Sequence, residues 1–138
     1  MKSIIKYVQI LFLIVIVITV TSCKKMAGPG GQASVTGKVY AYDFDNTYSY
    51  LISKGYRAGE KVYIIYGENT SIGNNMITSI DGSFEFKYLN KGHYKVFANS
   101  IDTSYKVKGN NAINPVILEF DIKEAKQKIV IDDIVINK

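Results

Sequence analysis

From Val35 to the C-terminus the apolar residues recur at every second position in short runs, and a period of two predicts strands. Val35-Thr36-Gly37-Lys38-Val39-Tyr40-Ala41-Tyr42 alternates in this way, and Val62-Tyr63-Ile64-Ile65-Tyr66 is a β-branched and aromatic run suited to a buried strand. Met76-Ile77-Thr78-Ser79 leads to Asp81-Gly82, a pair that readily takes positive φ and reads as a hairpin turn. Ser83 to Tyr88 then places Phe84 and Phe86 on one face and Glu85 and Lys87 on the other. After Asn90-Lys91-Gly92, a further strand runs through His93-Tyr94-Lys95-Val96-Phe97-Ala98, and alternation turns Phe84, Phe86, Tyr94 and Val96 to the core. Val116 to Phe120, and Ile129-Val130-Ile131 through Val135-Ile136, supply the last strands. No segment holds a helical period; Tyr50-Leu51-Ile52 and Lys123 to Lys126 could each make a single turn. About seven strands with turns at short intervals predict an all-β fold, a single antiparallel seven-stranded β-sandwich of Greek-key type.

The first 25 residues follow a different pattern. Lys2 and Lys6 precede the apolar run Ile10 to Ile18, and Val20-Thr21-Ser22 then lead to Cys23, the chain's one cysteine. The run is roughly half of what a bilayer-spanning helix needs, and basic, apolar and small-residue regions in that order describe a secretory signal peptide. A cysteine at the cleavage point resembles a bacterial lipobox, which makes Cys23 the expected lipidation site and mature N-terminus. Two or three acyl chains would hold such a protein on a membrane almost permanently. The expected divisions are a lipoprotein signal peptide at 1–22, a lipidated cysteine and flexible Gly/Pro tether at 23–34, and a β-sandwich domain at 35–138.

Processing would leave 116 of the 138 residues, enough for one domain, with 15 Lys and Arg against 12 Asp and Glu. The basic residues are dispersed, which argues against a nucleic-acid surface. With no second cysteine the fold rests on its apolar core.

Gly37-Lys38-Val39, Ala58-Gly59-Glu60-Lys61-Val62-Tyr63-Ile64, Ile80-Asp81-Gly82-Ser83-Phe84-Glu85-Phe86, Leu89 and Gly92-His93-Tyr94-Lys95-Val96 together resemble carboxypeptidase regulatory-like domains. Those are transthyretin-like (prealbumin-like) sandwiches related to collagen-adhesin B-type repeats. The resemblance covers Val35 to Ser100 well and the last strands loosely, and it implies fold more than chemistry, because the matched residues are turn glycines and core positions. It implies a non-catalytic spacer, binding module or envelope component. Lipobox and flanking lysines resemble envelope lipoproteins of Bacteroidetes-type bacteria, which implies the outer membrane. No acidic residues directly follow Cys23, as surface export in such lipoproteins often requires, so a periplasm-facing display is expected, with surface display as the alternative. The segment Asp43 to Arg57 exceeds the family's usual connection and reads as a long ordered loop, the kind of element that often carries function. The adhesin relatives' Lys–Asn isopeptide bond would fall on Lys38 and Asn137, but alternation turns Lys38 to solvent.

The candidate chemistry is sparse. His93 is the single histidine, expected on the solvated face opposite Tyr94, and no nucleophile-elbow, P-loop, zinc-protease or dinucleotide fingerprint occurs. No catalytic residue, cofactor or metal site is therefore assigned. Asp43, Asp45 and Asn46 could begin a calcium site, but six to eight oxygens are wanted, and a side-chain-capped turn is the simpler reading. Asp132-Asp133 could join such a site or guard a strand edge. Seven tyrosines lie between positions 40 and 66; Tyr40 and Tyr42 share one strand face, and Tyr48 and Tyr50 would share another if that segment is extended. Tyrosine pairs an apolar ring with a hydroxyl, which suits protein contacts or sugar stacking. Tyr48, Tyr50 and Tyr56 are the expected binding residues. The leading expectation is a lipid-anchored module that binds an envelope protein, and the alternative is a carbohydrate-binding accessory lipoprotein.

Overall fold

The computed structural model describes residues 26–104 and 113–138. Among them the chain is all-β, with nine strands and no helix: β1 (Pro29–Phe44), β2 (Leu51–Tyr56), β3 (Lys61–Tyr66), β4 (Asn74–Ile77), β5 (Ser83–Leu89), β6 (Gly92–Ile101), β7 (Ile113–Ile122), β8 (Lys128–Val130) and β9 (Ile134–Asn137). They form a five-stranded sheet built on β1 and a four-stranded sheet ordered β4-β3-β6-β7. The expected seven strands are thus nine. The two extra strands come from the Asp43 to Arg57 segment, which is a hairpin and not a loop, and from the division of the last run into β8 and β9.

The sixteen-residue β1 organises the first sheet. Val39 gives its N–H to Gly82 and its carbonyl accepts the N–H of Arg57. In an extended strand both groups of one residue point to the same side, so β5 and β2 lie end to end along one edge of β1. β8 and β9 lie end to end along the other edge, and both pair with β1 in parallel. A purely antiparallel sandwich is therefore not what forms. Joining residues 34–42 to 128–137 in parallel is a long-range pairing that strand periodicity cannot reveal.

One core fills the space between the sheets. Val35, Val39 and Ala41 from β1 meet Val62 and Ile64 from β3 and Tyr94, Val96 and Ala98 from β6, while Ile134 and Ile136 close it from β9. Each fully buried Ile or Val contributes about 1.5–3 kcal/mol relative to exposure. Phe84 and Phe86 are buried as alternation requires, and Lys87 is exposed.

Two turns behave differently from their sequence reading. Gly82 has φ 76° and Ser79 gives its N–H to Ser83, so the Asp81-Gly82 turn is tight. It is not the end of a hairpin, however: β4 belongs to one sheet and β5 to the other, and the strands part beyond the turn. The Gly/Pro segment before Val35 is not a tether from Pro29 onward. Ala33 is completely buried and Gly28 lies in hydrogen-bond contact with the hydroxyl of Tyr94. Gly31 serves close approach, since a Cβ there would lie 1.8 Å from the carbonyl oxygen of Leu89. The signal peptide and Cys23 lie outside the described residues.

Candidate functional site

Even-numbered residues of β1 point away from the core, and this sets Tyr40 and Tyr42 side by side on the outer face of the five-stranded sheet. The β1–β2 register places Tyr56 opposite Tyr40 and Lys54 opposite Tyr42. The Tyr40 ring packs edge-to-face on Tyr42 at 5.5 Å and on Tyr56 at 5.3 Å. Such pairs add about 0.5–1.5 kcal/mol beyond area burial, so the three rings form an ordered cluster.

Polar groups frame the cluster. The Tyr56 hydroxyl donates to Oδ2 of Asp133 at 3.0 Å, and that bond, with the carboxylate's charge, raises the Tyr56 pKa above its ordinary value. Lys38 sets its Nζ 4.7 Å from the centre of the Tyr56 ring and 3.3 Å from Asp81. Asp81 also accepts from the hydroxyl and N–H of Ser83, and the Ser83 bonds are the main reason its pKa falls to about 2. Asp43 takes Arg57 Nη1 on both oxygens, at 2.9 and 3.1 Å, and Ser53 Oγ at 2.9 Å. Lys38 with Asp81 and Arg57 with Asp43 are therefore paired within the chain.

The three tyrosines singled out from the sequence separate. Tyr56 belongs to the cluster and Tyr50 is 75% exposed at the hairpin tip. Tyr48 is buried, with φ 52°, and does not share an exposed face with Tyr50. The segment is a turn and not extended, because Asp45 gathers it. Asp45 accepts from Thr47 Oγ1 at 2.6 Å and from the N–H groups of Ser49 and Tyr50 at 2.8 and 3.1 Å. The Thr47 bond leads in lowering the Asp45 pKa. Asp45 thus caps a turn and Asp43 is committed to Arg57, while among the described residues no group of three His, Cys, Asp or Glu converges as metal ligands.

Sequence reasoning had paired Tyr40 with Tyr42 on one face but did not join Tyr56, Lys38 and Asp133 to them. That grouping depends on the β1–β2 hairpin register and on β9, which returns from the far end of the chain. His93 is half-buried on the outer face of the other sheet, with Nδ1 2.9 Å from Asp121 and Nε2 3.6 Å from Glu119. Lys38 faces outward, away from the position an isopeptide bond would need.

A separate feature lies where β4 and β5 part. Two recesses of about 270 and 370 Å³ open along the split and share Met76, Glu85 and Lys87. The first also has Tyr66, Asn74, Asn75 and Tyr88 in its wall. Tyr88 has φ 61° at a β-bulge on β5, an uncommon conformation for a bulky residue, and its side chain is 70% exposed.

No family model matches the chain, and no curated protein matches it. Among solved structures it is similar to a Pseudomonas aeruginosa protein named a "putative carbohydrate binding protein", at TM-score 0.47 and 13% identity, over 80% of this chain and 92% of that one. At that overlap the likeness carries no argument about what this chain binds.

Proposed function

We propose that the chain is a lipid-anchored envelope module with a non-catalytic binding or assembly role, in a transthyretin-like, carboxypeptidase regulatory-like sandwich. The observation that carries this reading is the ordered Tyr40–Tyr42–Tyr56 cluster with Tyr50 beyond it, all on the β1–β2 hairpin. Rings fixed in place lose little side-chain entropy on binding, and tyrosines are favoured contact residues for that reason. Geometry agrees with an anchor at Cys23. Cys23 lies six residues before β1, and β1 extends about 45–50 Å to the hairpin. Acylation would set the Ala27 end of the domain at the membrane, facing the periplasm in an outer-membrane protein, and hold the tyrosines at the far end. The test is affinity capture of the acylated chain from membranes. Tyr40→Ser with Tyr56→Ala should lose the captured envelope protein while the domain stays folded, and Cys23→Ala should release the chain from the membrane. Capture unchanged in the tyrosine variant removes that face.

The second reading, a carbohydrate-binding accessory lipoprotein, is favoured by the recess between β4 and β5. There the amides of Asn74 and Asn75 stand beside the Glu85–Lys87 pair and the rings of Tyr66 and Tyr88. Tyr56 suits sugar stacking less well, since Lys38 already covers its ring. Saturable glycan binding that is lost on Asn75→Ala and kept in the tyrosine-cluster variant would select this reading.

A further inference from the structure

Four lysines that stand apart in the sequence are gathered by the fold at the end of the domain where the chain enters from Cys23. Two turns meet the incoming chain there. A Cβ at Gly92 would lie 2.7 Å from that of Ala27, and the Gly28 carbonyl accepts the N–H of Asn90. Gly92 pairs with Ile122, so Lys91 and Lys123 face each other where β6 and β7 end. Gln127 closes the next turn: its side-chain oxygen accepts the N–H groups of Lys123 and Glu124, and its carbonyl accepts the N–H of Ser34 on β1. Lys91, Lys123, Lys126 and Lys128 are exposed, and none holds an ion pair among the described residues. The neighbouring acids are taken up elsewhere. Glu68 and Glu119 face Lys95, and Asp121 faces His93, which leaves Glu124.

An aromatic ring joins this end against the strand pattern. The alternation that buries Phe84 and Phe86 would turn Tyr88 inward as well. Its φ is 61° instead, and its side chain is 70% exposed. A bulky residue keeps that φ only where its surroundings hold it there. The next residue, Leu89, pairs with Pro29 and Ala33, so Tyr88 stands beside the incoming chain. An exposed tyrosine among unpaired lysines suits a membrane–water interface, with the ring at headgroup level and the ammonium groups on phosphates.

We propose that this end of the domain, Tyr88 with Lys91, Lys123, Lys126 and Lys128, seats on anionic lipid headgroups. The seat depends on the anchor at Cys23 proposed above. Four residues of chain from Cys23 to Ala27 reach at most about 14 Å. Acylation therefore keeps the Lys91 turn within about two Debye lengths of the bilayer, where its charge is felt. A lipid surface is the favoured occupant because the lysines are spread over two turns and the start of β8, as contacts with a plane and not as a cage around one ion. Seated in this way, the domain points its tyrosine hairpin away from the membrane.

The sequence contains no tryptophan, so one introduced residue reports alone. The acylated chain carrying Tyr88→Trp is reconstituted in phosphatidylcholine vesicles with and without phosphatidylglycerol, and quenching by brominated lipid is measured. Quenching should be strong with phosphatidylglycerol, weak without it, and lost in high salt, whereas Tyr50→Trp should stay unquenched in both. Each lysine near an anionic surface favours the seated state by roughly fivefold. Adding Lys123→Glu and Lys126→Glu should therefore lower the ratio of seated to free domain at least about 25-fold and reduce quenching to the phosphatidylcholine level. Should Tyr88→Trp fail to fold, amide exchange of the wild-type turns 90–92 and 123–127 on the same vesicles decides, with slowing expected only where phosphatidylglycerol is present. A chain that floats with both vesicles but gives the same signal on each, or one indifferent to the lysine reversals, overturns the seat and leaves the anchor standing. A chain that floats with neither overturns both.

Discussion

Replacing Tyr94 by Phe removes one oxygen from the centre of the fold and nothing else. The hydroxyl donates to the carbonyl of Asn90 at 2.7 Å, accepts the N–H of Gly28 at 2.9 Å, and lies fully inside the protein. Burial raises its pKa, so it stays a donor at neutral pH. Phenylalanine would keep the ring stacked on Phe120 at 5.6 Å and set edge-on to Tyr66 at 5.9 Å. The Asn90 bond, worth about 1 kcal/mol net, would go, and the Gly28 N–H would be buried without its partner at about 1–3 kcal/mol. We expect a loss of about 2–4 kcal/mol. For a domain of this size that lowers Tm by roughly 8–16 °C. Urea unfolding should show a lower midpoint at unchanged slope, and hydrogen exchange should show faster opening at the Gly28 amide. A loss under about 0.5 kcal/mol, with Gly28 as protected as in wild type, would refute the claim that this hydroxyl clamps the N-terminal segment to the body of the domain.

Gly82→Ala should destabilise by about 2 kcal/mol, because φ is 76° and the new Cβ would stand 2.9 Å from the Val39 carbonyl oxygen; denaturant titration reads this, and a neutral result contradicts the tight-turn account. Asp81 titrates near pH 2 in the fold, below its ordinary 3.8, so its contribution is present above about pH 4 and lost as pH falls toward 2. The stability gap between wild type and Asp81→Asn should therefore close over that window, and a gap constant with pH would tell against it. Tyr56 has a raised pKa, which places its contribution below the ordinary tyrosine range and removes it as pH rises through the folded value. Absorbance at 295 nm should show Tyr56 among the late-ionising tyrosines, beside Tyr66 and Tyr94, whose pKa values burial raises, and Asp133→Asn should bring one of them back; no change in that variant would mean the Tyr56–Asp133 bond does not hold in solution.

Much of the fold was legible because the strands that fill the core alternate. Phe84, Phe86, Tyr94 and Val96 were assigned inward from the period alone, and all four are buried. β2 was not legible, because it pairs with the rest of the sheet only through β1 and nearly all its residues are exposed, so no apolar alternation marks it. The Ala27–Ser34 segment misled for a different reason. Glycine marks flexibility in a tether and close packing in a strand, and only the approach of Leu89 to Gly31 separates the two. At the candidate site, adjacency in sequence gave Tyr40 with Tyr42. Tyr56 and Asp133 joined them only through the hairpin register and the parallel return of β9. Tyr48 was misplaced because Asp45 draws three local groups onto its carboxylate and bends a stretch that alternation treats as straight.

The tyrosine face is tested most directly by a photo-crosslinking residue placed at Tyr56 in the acylated chain within living cells, with Val130, 81% exposed on the same sheet beside the N-terminal half of β1, as the control position. The account predicts one envelope protein crosslinked from position 56 and absent from position 130. Equal crosslinking from both positions, or none from 56 with the domain folded and acylated, would contradict it.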